Sequence, residues 1–223
     1  MTTRLLLPKH FSLSDWVFNT PNRWGLNYEY ALSAPTSLAT PYNATGYYSW
    51  DWVCLGSDLG LCIPHGRIIT GIQLGHAGTN VPRLFFRSQS LPYNEDPDGN
   101  ALLYPDNCYL LRFGSGGYSL TLWQAGESTN LVSGDLFPYL TEQMWHTICL
   151  TWETTGPPDM RRFRISFDIW QRLDWVNQFT FDDENNQWEH SNINRLGFFL
   201  GGAGEEPLRR SRIDDTEIWQ RTL

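Results

Sequence analysis

Apolar and polar residues alternate along short runs of this chain, with the two-residue period that is typical of β-strands. The run from Trp145 to Trp152 shows the pattern best. No stretch repeats its apolar residues every 3.6 positions for long enough to predict a substantial helix. Clusters of Gly, Pro, Asn and Asp separate the runs. The pattern predicts strands at Asp15–Asn19, Tyr47–Cys54, Arg67–Leu74, Arg83–Ser88, Asn107–Phe113, Tyr118–Trp123, Trp145–Trp152, Arg161–Trp170, Leu196–Leu200 and Ile213–Trp219.

About ten short strands fit two packed antiparallel sheets, so the predicted class is all-β. The run Gly114-Ser115-Gly116-Gly117 lies between two predicted strands and indicates a hairpin connection with positive φ angles. A chain of 223 residues fits one large β domain, and we expect a single domain over residues 1–223. No apolar run is long enough to predict a membrane span.

Two motifs in the second half of the chain narrow the fold. The strand Trp145–Trp152 has the pattern W-H-x-x-x-x-T-W, and the tail Ile213–Leu223 has the pattern I-D-D-x-x-I-W-x-R-x-L. Together they resemble the last two strands of laminin-G-like and pentraxin-like domains. This resemblance implies a two-sheet antiparallel jelly-roll sandwich of the concanavalin-A-like type. The groups that bind paired calcium ions in pentraxins have no counterpart, so calcium-dependent phosphocholine binding is not implied.

Charge and cysteine content limit the partners and the compartment. The net charge of −8 argues against nucleic acid, whose phosphates need clustered basic residues. Four cysteines allow three disulfide pairings, of which we favour Cys54 with Cys62 and Cys108 with Cys149. The four cysteines and the glycosylation sequon at Asn43 together predict a secreted protein or one in the secretory-pathway lumen.

Acidic residues offer weak evidence for a metal site or a hydrolase. The clusters 94–99 and 182–186 are rich in Asp, Glu and Asn, yet such clusters are usually solvated turns. We therefore predict no cofactor and no metal ligand, with calcium as an alternative that is not favoured. The Glu-x-Asp-x-x-Glu pattern of concanavalin-A-like glycosidases is absent. A polysaccharide glycosidase or lyase is a minor alternative.

The aromatic content is the strongest clue to a ligand, because the chain has eleven Trp, ten Tyr and twelve Phe. The family resemblance implies that Trp145, Trp152 and Trp219 are structural. Other aromatic residues could enclose a flat apolar ligand or stack on sugar rings. We predict such a lining from Tyr48, Trp50, Trp52, Trp123, Trp170 and Trp188. Three polar residues close to Trp50 and Trp52 in the sequence could donate hydrogen bonds to such a ligand. They are His65, Arg67 and His76.

Two functional hypotheses follow from these residues. In overall character, the chain resembles the fungal hetero-Diels–Alderases that join a tropolone-derived o-quinone methide to humulene-type terpenes. That resemblance implies a cofactor-free pericyclase that positions a small apolar ligand, with Arg67, His65 and His76 polarising its oxygens. The alternative is a secreted, lectin-like module that binds a glycan or a protein. By a narrow margin we place the apolar pocket ahead of the glycan groove.

Overall fold

The computed structural model describes residues 2–7, 16–18, 25–27, 32, 37–39, 49–55, 63–75, 82–94, 102–103, 105, 107–136, 140–157, 160–185, 187–188, 191, 193–202 and 211–222. These residues form strands and connections, and none of them lies in an α-helix. The strands are β1 Thr2–Leu7, β2 Trp16–Phe18, β3 Gly25–Asn27, β4 Ser37–Ala39, β5 Ser49–Leu55, β6 Gly66–Gln73, β7 Arg83–Ser88, β8 Tyr93–Asn94, β9 Leu102–Leu103, β10 Asn107–Phe113, β11 Gly117–Gln124, β12 Glu127–Asp135, β13 Trp145–Thr155, β14 Arg162–Gln171, β15 Asp174–Asp183, β16 Arg195–Gly202 and β17 Arg212–Thr222.

Most of these strands form two antiparallel sheets. The first, which we call the front sheet, has the order β12-β11-β10-β7-β16-β5-β2. The second, the back sheet, has the order β15-β14-β13-β6-β17-β4-β3, with β1 also paired to β17. Strands β8 and β9 form a small separate pair. The predicted all-β architecture of two antiparallel sheets is confirmed. In the described part of the chain, no helix is long and apolar enough to cross a membrane.

The core lies between the two sheets and is built from alternate residues of their strands. Its largest fully buried side chain is Trp152 on β13, whose indole N–H donates to the Ile63 carbonyl at 3.0 Å. Of the three tryptophans expected to be structural, Trp145 and Trp219 are only half-buried. The front sheet contributes Leu84, Phe86, Tyr109, Leu111 and Phe113, and the back sheet contributes Ile148, Leu150, Trp152, Phe163, Ile165 and Phe167.

All ten predicted strands occur, and the described residues contain seven further strands that were not predicted. The bounds of β7 and β10 match the prediction. Among the strands that were not predicted, β12, Glu127–Asp135, is the longest that has no apolar face. It is exposed along most of its length. It lies at one edge of the front sheet and pairs only with β11 among the described strands. Its polar sequence suits an exposed edge, which explains why apolar alternation could not indicate it.

The predicted disulfide between Cys108 and Cys149 is wrong. Both residues are buried free cysteines. Cys108 belongs to an apolar cluster on the outer face of the front sheet, whereas Cys149 contacts Arg67 on the back sheet. Because each side chain points away from the shared core, the two sulfur atoms cannot meet. The backbone of Cys54 lies in β5, while Cys62 and the sequon residue Asn43 lie outside the described residues.

Candidate functional site

An open groove of about 510 Å³ lies at one end of the front sheet. It is formed where β10 turns into β11 and where β12 runs beside them. Its lining is mainly polar and contains side-chain hydroxyls, one guanidinium, one carboxylate and exposed glycine backbone. The residues are Arg112, Gly114, Ser115, Gly116, Gly117, Tyr118, Ser119, Ser133, Gly134 and Asp135.

Strand register explains how the groove side chains come together. Residues that pair directly across an antiparallel ladder share a face of the sheet. One continuous row of such pairs crosses the front sheet from β12 to β5. The row is Ser133, Ser119, Arg112, Arg83, Phe199 and Trp52. Hydroxyl groups therefore begin the row at the groove, two guanidinium groups follow, and aromatic positions end it.

The glycine hairpin forms the floor of one end of the groove. The Gly114 amide donates to the Gly117 carbonyl at 2.9 Å, which closes the predicted hairpin. The expectation of positive φ there is wrong, since Gly126 and Gly156 are the described glycines with positive φ. A Cβ atom on Gly116 would have no atom within 4 Å. Glycine at this position therefore leaves open space for a ligand, and the turn itself does not require it.

One arginine lines the groove, and a second lies beside it in the sheet. Arg112 pairs directly with Arg83 in the ladder between β10 and β7. Burial, and then the charge of Arg112, lower the pKa of Arg83 to about 10. Arg112 is exposed and forms no ion pair or hydrogen bond with any residue that the structure describes, Asp135 included. Its guanidinium donors are therefore available to a ligand in the groove.

The other outward part of the front sheet is apolar and covered. Phe85, Cys108, Leu110 and Phe199 form a buried cluster there, against which Leu91 and Trp123 pack. Phe85 and Phe199 lie 5.1 Å apart between ring centroids, in a tilted arrangement. Burial also raises the pKa of the Cys108 thiol. Ligand-accessible polar groups of this face that the structure describes are therefore found toward β11 and β12, where the groove lies, and not at this cluster.

The residues nominated as catalytic lie elsewhere. Arg67 is on β6 of the back sheet, where its Nε donates to the Cys149 sulfur at 3.2 Å. His65 is buried, and its Nδ1 accepts the Thr154 amide at 3.1 Å. His76 lies outside the described residues. Arg67 and His65 are therefore close in sequence but have different partners, and neither lines the groove.

The nominated aromatic residues also fall in separate places. Trp123 packs on the outer cluster of the front sheet. Trp170 is exposed on β14 and makes an edge contact with Trp175, with centroids 5.1 Å apart. Trp188 packs edge-on against the core residue Tyr109 at 5.6 Å. For Trp50 and Trp52 the backbone lies in β5, and Tyr48 is outside the described residues. The described tryptophans of this set do not line one pocket.

The acidic cluster 182–186 is occupied by contacts within the protein. Asp182 makes two hydrogen bonds to Arg164, at 2.7 and 2.9 Å, and this side-chain pairing lowers the pKa of Asp182. Asp183 accepts the Tyr109 hydroxyl at 2.5 Å and the Asn185 amide at 2.9 Å. Among the described residues, no group of three His, Cys, Asp or Glu side chains could hold a metal ion. The other predicted cluster, 94–99, is described only at Asn94.

Sequence reasoning missed the groove residues Arg112, Ser119 and Asp135. The available signal was the Gly-rich hairpin, which begins two residues after Arg112. Its significance depends on β12, because Ser133 and Asp135 complete the lining only when that polar strand pairs with β11.

No protein-family model matches the sequence, and no curated protein matches it. Solved structures do resemble the fold. The VIP36 exoplasmic/lumenal domain in its Ca²⁺/Man3GlcNAc-bound form has a TM-score of 0.57 at 10% identity, covering 97% of this chain and 88% of that one. A single-residue mutant of the Emp46p carbohydrate recognition domain has a TM-score of 0.55 at 11% identity, covering 93% of this chain and 88% of that one. A glycoside hydrolase family 16 endo-glucanase from Bacteroides ovatus has a TM-score of 0.56 at 10% identity, covering 97% and 98%.

These similarities establish the fold as a concanavalin-A-like jelly roll, as the two C-terminal motifs predicted. At such low identity they establish the fold alone, because one fold can host unrelated activities.

Proposed function

We propose that this protein is a lectin-like module that binds a glycan in the groove of the front sheet. The observation that carries the proposal is the groove itself, an open polar site of about 510 Å³ on one face of a jelly roll. Carbohydrate-recognition domains among the structurally similar proteins support a glycan as the ligand.

The lining chemistry suits a saccharide. Sugar hydroxyls both donate and accept hydrogen bonds, so they need partners of both kinds. Ser119 and Ser133 provide hydroxyls, Asp135 accepts, and Arg112 donates. The Ser133 hydroxyl lies 3.2 Å from the Asn130 carboxamide, which orients it. A volume of this size falls in the usual range for small-ligand sites.

The groove favours binding over hydrolysis. Glycosidases generally use two carboxyl groups on either side of the scissile bond. Of the residues that line this groove, Asp135 alone carries a carboxylate. The lining therefore holds one half of such a pair, and we propose a binding role without bond cleavage.

The cycloaddition hypothesis gains no support from the described residues. It requires donors beside an aromatic enclosure that holds two reactants in a near-attack geometry. Arg67 contacts Cys149 on the back sheet, whereas Trp123 packs on the front sheet. A secreted or lumenal setting remains part of our proposal, supported by the exoplasmic/lumenal domain among the similar structures.

A glycan array with a groove-blocking variant tests the proposal. Gly116→Tyr places a ring in the open space of the groove and should abolish glycan binding. Leu173→Tyr is the control, because Leu173 is 88% exposed, lies on the back-sheet hairpin and does not line the groove. Each protein is assayed with calcium and with a chelator. If Gly116→Tyr still binds the glycan that wild type binds, the binding site lies outside the groove. If wild type binds no glycan on the array, the lectin function is refuted.

A further inference from the structure

We infer that the groove selects an anionic saccharide, whose carboxylate or sulfate oxygens accept hydrogen bonds from Arg112. This inference rests on the proposed glycan-binding function and specifies its ligand class. Arg112 belongs to an arrangement of two like charges that costs stability.

Arg112 and Arg83 are direct cross-strand partners on the outer face of the front sheet. Like charges in directly opposed positions destabilise a sheet. The lowered pKa of Arg83, caused first by burial and then by Arg112, reflects the same unfavourable proximity. An anion bound at Arg112 would offset this repulsion, because an opposite charge within a few ångströms favours the charged form of both groups.

The positions of Arg112 and Arg83 relative to the groove determine which groups a ligand would meet. Arg112 lines the groove, with Ser119 beside it as its partner on β11. Arg83 stands behind it in the row, between Arg112 and the buried ring of Phe199. A saccharide in the groove would thus meet the Ser133 and Ser119 hydroxyls first and the Arg112 guanidinium at its inner end.

Guanidinium chemistry specifies the ligand group. The planar fork of arginine donates two parallel hydrogen bonds to a carboxylate or a similar oxyanion, and lysine cannot reproduce this geometry. The chain as a whole carries a net charge of −8, so general surface charge would not attract an acidic glycan. Attraction must come from the local positive charge of Arg112, which lines the groove.

The test uses an array of neutral, uronate-bearing, sialylated and sulfated oligosaccharides, followed by calorimetry with tetragalacturonate and its neutral methyl ester. We expect wild type to prefer acidic glycans and to bind the acid more tightly than the ester if carboxylate is the recognised group. Preference for sulfated over carboxylated glycans would identify sulfate as the group. Arg112→Gln should weaken binding of the preferred acidic glycan by roughly tenfold or more. Arg112→Lys should give an intermediate loss.

Two controls separate recognition from folding. Arg164→Gln removes an exposed arginine of the back sheet and should leave binding unchanged. The thermal midpoint of Arg112→Gln should equal or exceed that of wild type, because the substitution removes the repulsion with Arg83.

Three other outcomes would overturn the acidic-ligand inference, and one of them would also refute the lectin function. Binding of neutral glycans alone, blocked by Gly116→Tyr, would overturn the acidic-ligand inference and leave the lectin function standing. Acidic-glycan binding that is indifferent to Arg112→Gln would also overturn it. Failure to bind any glycan would refute the proposed function, and the inference would fall with it.

Discussion

At the scale of single residues, Trp152 shows how one side chain both fills the core and holds the backbone that precedes β6. It is fully buried and donates to the Ile63 carbonyl. Trp152→Ala should lower the free energy of unfolding by about 3–5 kcal/mol, because it leaves a large cavity. Trp152→Phe retains most of the volume but leaves that carbonyl without its donor, which should cost about 1–3 kcal/mol. Urea denaturation followed by circular dichroism measures both losses.

The matched control for Trp152 is Trp170, which is 41% exposed and touches Trp175. Trp170→Ala should cost only about 0.5–1.5 kcal/mol, the usual value of an aromatic pair. Equal losses at the two positions would contradict the assignment of Trp152 to the core and of Trp170 to the surface.

At the scale of elements, two hairpin turns in different sheets use the same backbone conformation with different residues. Ala125 and Gly126 connect β11 to β12 with φ angles of 50° and 84°, and Arg172 and Leu173 connect β14 to β15 with 49° and 71°. Two-residue turns with positive φ at both positions normally contain Asn or Gly. Leu173 is therefore strained by about 1–2 kcal/mol.

Leu173→Gly should stabilise the protein by about 0.5–1 kcal/mol, because relief of strain exceeds the entropic cost of glycine. Gly126→Ala provides the mirror experiment, since a Cβ there has open space within 4 Å and meets only the unfavourable φ. It should destabilise by about 1 kcal/mol. The thermal unfolding midpoint should therefore rise for Leu173→Gly and fall for Gly126→Ala. A lower midpoint for Leu173→Gly would show that the turn does not carry this strain.

These elements also show what sequence can and cannot predict in this molecule. Strand β13 was predictable because one face is buried and the other is polar, so its residues alternate. Strand β15 was missed because the turn before it, Arg172-Leu173, contains none of the residues that usually mark turns. The groove was missed for a related reason, since Asp135 joins Arg112 in the lining only through the pairing of an edge strand without apolar alternation.

At the scale of the whole molecule, the wrong disulfide assignment becomes a useful probe. A sequence shows that two cysteines lie in strands, but not that their side chains point out of opposite sheets. Cys108 is buried against the front sheet and Cys149 against the back sheet. Burial raises the pKa of both thiols, so the reactive thiolate is scarce in the folded protein.

We therefore expect neither thiol to react with iodoacetamide under native conditions, and both to react in denaturant without added reductant. Peptide mass spectrometry assigns the label to each cysteine separately. If the two sheets unfold together as one domain, labelling of Cys108 and Cys149 should share a single denaturant midpoint, since all-or-none unfolding exposes both at once. Separate midpoints would show that the sheets open independently. A pair that stays unlabelled until a reductant is added would instead restore the disulfide.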